Sequence, residues 1–298
     1  MTTMTKPLAE GPAARRRRPR LREKDAQAPA ERGGPMRYAM LSFVAFLTAF
    51  PFYVMIVLAL REPGPIILPD ALIPTNISFD AITRVLGSNS MEKWFINSMI
   101  YSVVSVVIVL LLASLAGYAF AKLRFPGRNA LFWVILATIM VPFHLSLIPV
   151  FLMVANLQLV DTITGMMLPG LAGVQALFLM RQFIRGLPDE LFDAGRIDGA
   201  SDLRLWWSIV LPLTKPVLAT MGVFTFLWHW NDFLWPLVIA HTDASRPLTV
   251  GLATLQREQV TVSEQMAGAF LSFIPAFLVF LVLQRYLVRG ISMSGVKG

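Results

Sequence analysis

With 298 residues, 56% of them hydrophobic and 15% charged, the chain lies outside the range of soluble domains, where charged residues run at about 25%; its mean hydropathy is +0.63. The lack of cysteine excludes disulfides, thiolate catalysis and a cysteine zinc site, and three scattered histidines form no ligand cluster. The net charge of +8 resides mainly in residues 1–36, which carry nine basic and four acidic side chains. It describes a tail, not a basic fold that grips nucleic acid.

Residues 1–36, rich in Pro, Ala, Gly and charge, are expected to be a disordered basic tail on the cytoplasmic side. Beside a membrane span, Arg15 to Arg18, Arg20 and Arg22 meet anionic headgroups or fix topology. Six apolar runs follow, roughly 38–60, 95–119, 130–155, 163–183, 216–240 and 266–288. Each reaches the ~20 residues that cross about 30 Å of hydrocarbon, and helices satisfy every backbone group within one segment. The first run exceeds the core of a signal peptide, and no small-residue cleavage pattern follows it before Arg61. It reads as a retained span.

The loop 61–94 begins extended, with Pro63, Pro65, Pro69 and Pro74. It then predicts a short amphipathic helix over 78–86, capped by Ser78, with Phe79, Ile82 and Leu86 on one face. Lys122-Leu-Arg-Phe-Pro-Gly-Arg128 is a tight turn after the second run. Pro142 predicts a kink in the third, which also carries His144 and Pro149. Gly165, Pro169, Gly170 and Gly173 permit a break or close approach in the fourth. No internal transporter repeat is evident.

Lys and Arg set the orientation. Placing the N-terminus inside leaves 21 of the 26 in inside segments, with only Arg61, Arg84, Lys93, Arg246 and Arg257 outside. Both termini are therefore expected in the cytoplasm.

Between the fourth and fifth runs lies a charged, helix-competent block on the inside. Pro188 fits a first helical position, with Asp189 and Glu190 favouring the helix N-terminal dipole. Leu191, Phe192 and Gly195 share a face that can be buried, with Asp193 and Arg196 elsewhere. Asp198-Gly199 is a turn signal, because glycine accepts positive φ. A second amphipathic run, 201–211, carries Leu203, Leu205, Trp206, Ile209 and Val210, and Pro212 and Pro216 lead into the fifth span. This is a helix–turn–helix along the inner membrane surface, an interfacial element or a docking one; its acidic, tightly turned centre favours docking.

Asp193-Ala-Gly-Arg-Ile-Asp-Gly-Ala200, followed by Ile209-Val-Leu-Pro212 and Pro216, resembles the EAA loop of ABC-importer permeases. The departures from that pattern are Asp193 for Glu and Gly195 for Ala, the latter loosening a helix by about 0.5–1 kcal/mol. Trp94-Phe-Ile-Asn-Ser98, Ala116 to Lys122, Pro142 to Pro149, Phe178 to Phe183, Trp230 to Leu237 and the closing Gly-Val-Lys-Gly298 are similar to the MalG-like, carbohydrate-uptake branch. The resemblance covers 37–298. It implies an all-α membrane protein with six transmembrane helices, a coupling loop over about 184–212 and an outer loop over about 241–264.

It further implies that 187–200 is a coupling helix seated in a cytoplasmic ATPase subunit, with Leu191, Phe192, Asp193, Ala194, Gly195, Asp198, Gly199 and Ala200 as its coupling residues. The implied partners are a second, unlike permease subunit, two ATPase subunits, a solute-binding protein reached by 241–264, and membrane lipid, in a bacterial inner membrane. The tail 290–298 would touch the ATPase pair. The chain holds no Gly-x-x-x-x-Gly-Lys-Ser/Thr loop, no nucleophile–base set and no metal-ligand cluster. It is read as a non-catalytic subunit without a cofactor, ATP being bound by the partner.

For cargo, Trp228, His229, Trp230, Asn231, Asp232 and Trp235 gather indoles and hydrogen-bonding groups. Sugars favour such surfaces, although an interfacial aromatic belt has the same composition. His144, Trp228, Trp230, Asn231 and Asp232 are the candidate substrate-pathway residues. The readings left open are a sugar or oligosaccharide, a glycerol phosphate or polyol, another ABC substrate class, or an ion-coupled secondary transporter.

Overall fold

The computed structural model describes residues 34–62, 64, 66–67, 70–74, 76–87, 90–255 and 260–294. The tail to residue 33, the loop 256–259 and the closing Gly-Val-Lys-Gly298 lie outside them. The chain divides into two compact units, residues 1–50 and 51–298. Helix α1, Pro35–Ala59, opens on proline, whose fixed φ suits a first turn. In the first unit its side chains are exposed and mostly apolar, with Phe46 and Phe50 rings 6.1 Å apart.

Among the described residues of the second unit, the regular structure is helical apart from an isolated bridge between Arg61 and Ile77. Helix α2 is Asp80–Gly87, and the Ser78 hydroxyl accepts from the Asp80 N–H at 3.1 Å. Its packed face differs from the expected one. Ala81 and Val85 are buried with Ala267, whereas Phe79 and Leu86 are exposed. The small Ala81 lets α2 approach its neighbours closely, and burial there outweighs burial of the larger side chains.

Helix α3, Met91–Lys122, is an unbroken span. The third apolar run is not one kinked helix. It is α4, Arg128–Ala137, continued by a 3-10 turn to Met140, and α5, Phe143–Asn156, bent by 104°. Val141 and Pro142 are both extended, because a proline drives the residue before it out of the helical region. The fourth run is also divided. Helix α6, Ile163–Met167, with its 3-10 extension to Gly170, meets α7, Val174–Arg185, at 47° across Gly173, whose φ is +48°. Among the described residues four helices are thus long and apolar enough to span, and up to six spans result if each bent pair counts once.

Helices α8, Glu190–Ile197, and α9, Asp202–Leu205, follow. The expected separate helix over 201–211 merges with the fifth span. A π turn at Trp206–Val210 joins α9 to α10, Leu211–Trp230. Pro212 and Pro216 cannot donate to the preceding turns, and the widened turn absorbs that mismatch. The Thr214 hydroxyl takes up the Val210 carbonyl at 2.8 Å. Helices α11, Leu234–Ile239, and α12, Leu248–Leu255, are short, and α13, Val262–Ser294, carries the last span.

The side chains pack in separate layers along the bundle. One layer joins α3, α7, α8, α9 and the π turn through Tyr118, Met180, Phe192, Leu205 and Val210. Another joins α2, α3, α10, α12 and α13 around Trp94, Phe226 and Trp230.

Candidate functional site

The hairpin of α8 and α9 owes its shape to two glycines. Gly199 sits at φ +77°, a region open to glycine at no steric cost. Its N–H donates to the Arg196 carbonyl at 3.0 Å, and the Ala200 N–H to the Gly195 carbonyl at 2.9 Å. This pair of bonds is a Schellman ending, which satisfies carbonyls the helix would otherwise leave open. A methyl on Gly195 would stand 2.4 Å from the Leu205 Cδ2. Glycine in place of the expected alanine therefore has a packing reason: α9 lies against it. Ser201 caps α9 by accepting from the Arg204 N–H at 3.4 Å.

One aromatic fixes this hairpin to α3. Phe192 is 1% exposed, stacks on Tyr118 at 5.9 Å and receives the Lys122 ammonium 5.0 Å from its ring centroid. Lys122 also bonds Asp189 and the Leu187 carbonyl, each at 2.6 Å. That hydrogen bond and charge hold the Asp189 carboxyl below the usual carboxylate range. Asp189 thus sits just before α8 with its side chain on Lys122, not inside the first turn. The Tyr118 hydroxyl donates to Asp202 at 3.1 Å, and Arg196 lies 3.3 Å from Asp193 and 3.8 Å from Asp202.

The structure therefore divides the eight expected coupling residues. Phe192 is buried, and Gly195 and Ala200 are half-buried, within the chain's own packing. Leu191, Asp193, Ala194, Asp198 and Gly199 face outward. Leu191 is on the exposed side, contrary to the face assigned it with Phe192 and Gly195. Two apolar side chains outside the expected set join it: Ile197, 87% exposed, and Leu203, 69% exposed. Ile197 was findable, since an isoleucine between Arg196 and Asp198 has no amphipathic reason to be there.

At the far end of α10 the polar residues meet. The Tyr101 hydroxyl, from α3, donates to Asp232 at 2.8 Å, and the Tyr101 and His229 rings meet edge-on at 5.0 Å. His229 Nδ1 pairs with the Thr225 carbonyl at 2.8 Å. A methyl at Gly170 would stand 3.0 Å from its Nε2, so the break in the fourth run abuts this imidazole. Thr249 donates to the Asp232 carbonyl at 2.7 Å.

The five expected pathway residues do not form one surface. Trp230 is locked, stacked on Phe226 at 5.5 Å with its N–H donating to the Ser272 carbonyl. Trp228, one residue-pair away, is 72% exposed. Asn231 returns its amide to the Leu227 carbonyl, and His144 is exposed in the first turn of α5. Only Asp232 joins the cluster, together with His229 and Tyr101. Tyr101 was missed although Asn97, Tyr101 and Ser105 recur every four residues along an apolar helix and all are buried.

Beyond this cluster the segment 240–248 is tied down by two aspartates. Asp161 accepts from the His241 and Thr242 N–H groups at 2.8 and 3.0 Å, from the Thr242 hydroxyl at 2.7 Å, and from the Ser245 hydroxyl. Burial pushes its pKa upward, but these bonds from Ser245, Thr242 and His241 outweigh it and hold the carboxyl down to about 2. Asp243 accepts from Ser90 at 2.6 Å and the Trp94 N–H at 2.9 Å, which lower its pKa, and pairs with Arg246 at 2.7 Å. Asn97 donates to the Asp243 and Arg246 carbonyls, and the Leu248 N–H donates to Ser98.

Apolar spans, a buried polar cluster between them and a structured polar hairpin at one end define a transport permease. Residues 109–293 match the family of binding-protein-dependent transport system inner membrane components, and the chain belongs to that family. It is 36% identical over 262 residues to the arabinooligosaccharides transport system permease protein AraQ of Halalkalibacterium halodurans, covering 86% of this chain and 94% of that one. It is 37% identical over 265 residues to the sn-glycerol-3-phosphate transport system permease protein UgpE of Yersinia pestis, covering 85% and 94%. Among solved structures it resembles a bacterial ABC transporter involved in the import of the acidic polysaccharide alginate, with TM-score 0.73 and 26% identity over 84% of this chain and 95% of that one.

Proposed function

We propose that this chain is one permease subunit of an ATP-driven importer that moves a sugar, an oligosaccharide or a polyol phosphate by alternating access. It performs no chemistry and holds no cofactor. ATP is hydrolysed by a pair of cytoplasmic ATPase subunits, a second permease completes the pathway, and a solute-binding protein delivers cargo from outside. Both termini and the α8–α9 hairpin lie in the cytoplasm, and 240–255 lies outside. The cargo class rests on relatives named for arabino-oligosaccharides and sn-glycerol-3-phosphate.

The observation that carries this reading is the continuity between the hairpin and the polar cluster. The helical stretch Asp202–Trp230 is 29 residues long, about 40 Å at 1.5 Å per residue. It starts against α8, through Gly195 and Leu205, and ends beside His229 and Asp232. Helix α3 runs in parallel duty, with Tyr118 and Lys122 at the hairpin and Tyr101 at the cluster. A push on α8 is thus delivered through α3 and, across the π turn, through α10 to both sides of the Tyr101–Asp232 hydrogen bond. Opening and closing that contact is the proposed gate, and the same two helices carry its state back to the ATPase.

Replacing Gly199 with valine tests the coupling role. A β-branched residue in the left-handed region costs about 1–2 kcal/mol and distorts the hairpin. The variant is expected to insert and to retain the second permease, yet to take up substrate at below a tenth of the wild-type rate. Uptake at the wild-type rate would remove the coupling assignment.

A further inference from the structure

The end of the bundle that bears α8 also gathers four arginines with no ion pair among the described residues. Arg124 and Arg128 stand on the turn between α3 and α4, and Arg181 and Arg185 on the closing turns of α7. Arg128 and Arg185 are near enough to repel the Arg181 guanidinium. Asp189, whose charge reaches Arg124, is already held 2.6 Å from Lys122.

Two of these guanidiniums are positioned by the protein itself. Arg128 donates to the Leu123 carbonyl at 2.7 Å, and Arg181 donates to the Phe120 carbonyl at 3.3 Å while lying 3.9 Å from the Phe132 ring centroid. Each guanidinium has five N–H donors, so both retain donors for an outside acceptor. An open pocket of about 350 Å³ lies here, lined by Arg124, Phe125, Gly127, Arg128, Asn129 and Ala130. Gly127 supplies no capping side chain to α4, so the first turn adds its own partial positive charge to the same pocket.

The surroundings decide which anion fits. Leu131, Trp133 and Val134 on α4, and Phe178 and Leu179 on α7, are all exposed. The arginines therefore stand at the foot of an exposed apolar surface, with the Trp133 indole about one turn beyond Arg128, the arrangement found at headgroup depth. We propose that this pocket binds the phosphate headgroup of an anionic phospholipid, whose acyl chains lie along the exposed faces of α4 and α7. Arginine forks match phosphate oxygens in pairs, and basic pockets between spans commonly take anionic headgroups. A bound lipid would then brace the α3–α4 turn beside Lys122, which holds the hairpin.

Thermal unfolding of the full chain, delipidated in neutral detergent, tests this with dioctanoyl phosphatidylglycerol, dioctanoyl phosphatidylcholine and inorganic phosphate as probes. Phosphatidylglycerol is expected to raise Tm by several degrees and the other two to leave it unchanged. In the R124Q/R185Q variant the shift should fall by at least half, and in R124K/R185K it should fall less, because an ammonium keeps the charge but not the paired donors. Native mass spectrometry of the wild-type chain should retain phosphatidylglycerol in preference to phosphatidylcholine. An equal response to phosphatidylcholine, or a response reproduced by inorganic phosphate, would overturn the proposal. So would an R124Q/R185Q variant that keeps its full phosphatidylglycerol shift while losing a co-purifying ATPase, because the arginines would then serve the protein partner.

Discussion

The hairpin at 187–205 and the segment at 240–248 sit at opposite ends of α10, and they are finished in opposite ways. The 240–248 segment closes on itself. Asp161 and the first turns of α3, through Ser90, Trp94, Asn97 and Ser98, take up its backbone groups, its hydroxyls and its own Asp243. The hairpin is seated on α3 by the Phe192 ring, the Lys122–Asp189 pair and the Tyr118–Asp202 hydrogen bond, and leaves Leu191, Ile197 and Leu203 in the open. An open apolar side on a charged hairpin is a surface that a partner has yet to cover. The difference separates a segment whose polar groups are taken up within the chain from a hairpin that leaves apolar surface open.

The largest expected effect comes from removing the seat. Phe192→Ala empties a site that is 1% exposed, and buried phenylalanine-to-alanine changes cost about 3–5 kcal/mol. Lys122 also loses its ring partner. Tm measured by thermal unfolding should fall clearly, and uptake should be lost with it. A variant with wild-type Tm would show that α8 is held mainly through Lys122 and Asp189, and the contrast between the two ends would need redrawing.

Both ends were unequally legible in the sequence. The hairpin was readable because its signals are local: Pro188, Gly199 and the alternation of Phe192 with Asp193 state a helix, a turn and two sides within twelve residues. Six apolar runs were equally plain, since span length needs only composition. The 240–248 segment was not readable, because its partners are distant. Asp161 lies 80 residues from His241, and Asp232 lies 131 residues from Tyr101, and no periodicity links such pairs. The 104° bend exceeds a proline kink because Val141 is extended as well as Pro142. The packed face of α2 was misread because tertiary contact selected Ala81 and Val85 over larger neighbours.

A middle-sized effect is expected at the other end. Asp161→Asn keeps the shape of the carboxylate but removes its charge, and hydrogen bonds to charged groups contribute about 1.5–3 kcal/mol in favourable settings. Asp161 is partly solvated, so the lower end of that range applies. Tm should drop by a few degrees while uptake stays above half of wild type. The pH dependence gives a sharper reading. The folded carboxyl titrates near 2, against 3.8 when unperturbed, so its stabilisation is complete above about pH 4 and is lost as pH falls through 2. The asparagine variant should lack that part of the acid limb. Loss of uptake at unchanged stability would instead make the Asp161 turn part of the moving machinery.

The smallest effect bears most directly on what the hairpin is for. Arg196 reaches Asp193 at 3.3 Å and Asp202 at 3.8 Å, across exposed positions on α8 and α9. Such pairs contribute about 0.2–1 kcal/mol and weaken with salt. Asp202 keeps its bond from Tyr118 when the arginine is gone, and the Schellman bonds at Gly199 and Ala200 involve backbone alone. Arg196→Gln should therefore leave Tm within about a degree of wild type, and raised salt should change the wild type as little. If the outward side of α8 is where the ATPase seats, the same substitution alters the charge of that contact and should lower uptake two- to threefold, with ATPase recovery reduced in co-purification. A fall in Tm with uptake unchanged would mean that Arg196 serves only to hold α8 on α9. The exposed side would then owe its function to Leu191, Ile197 and Leu203, which leave apolar surface open.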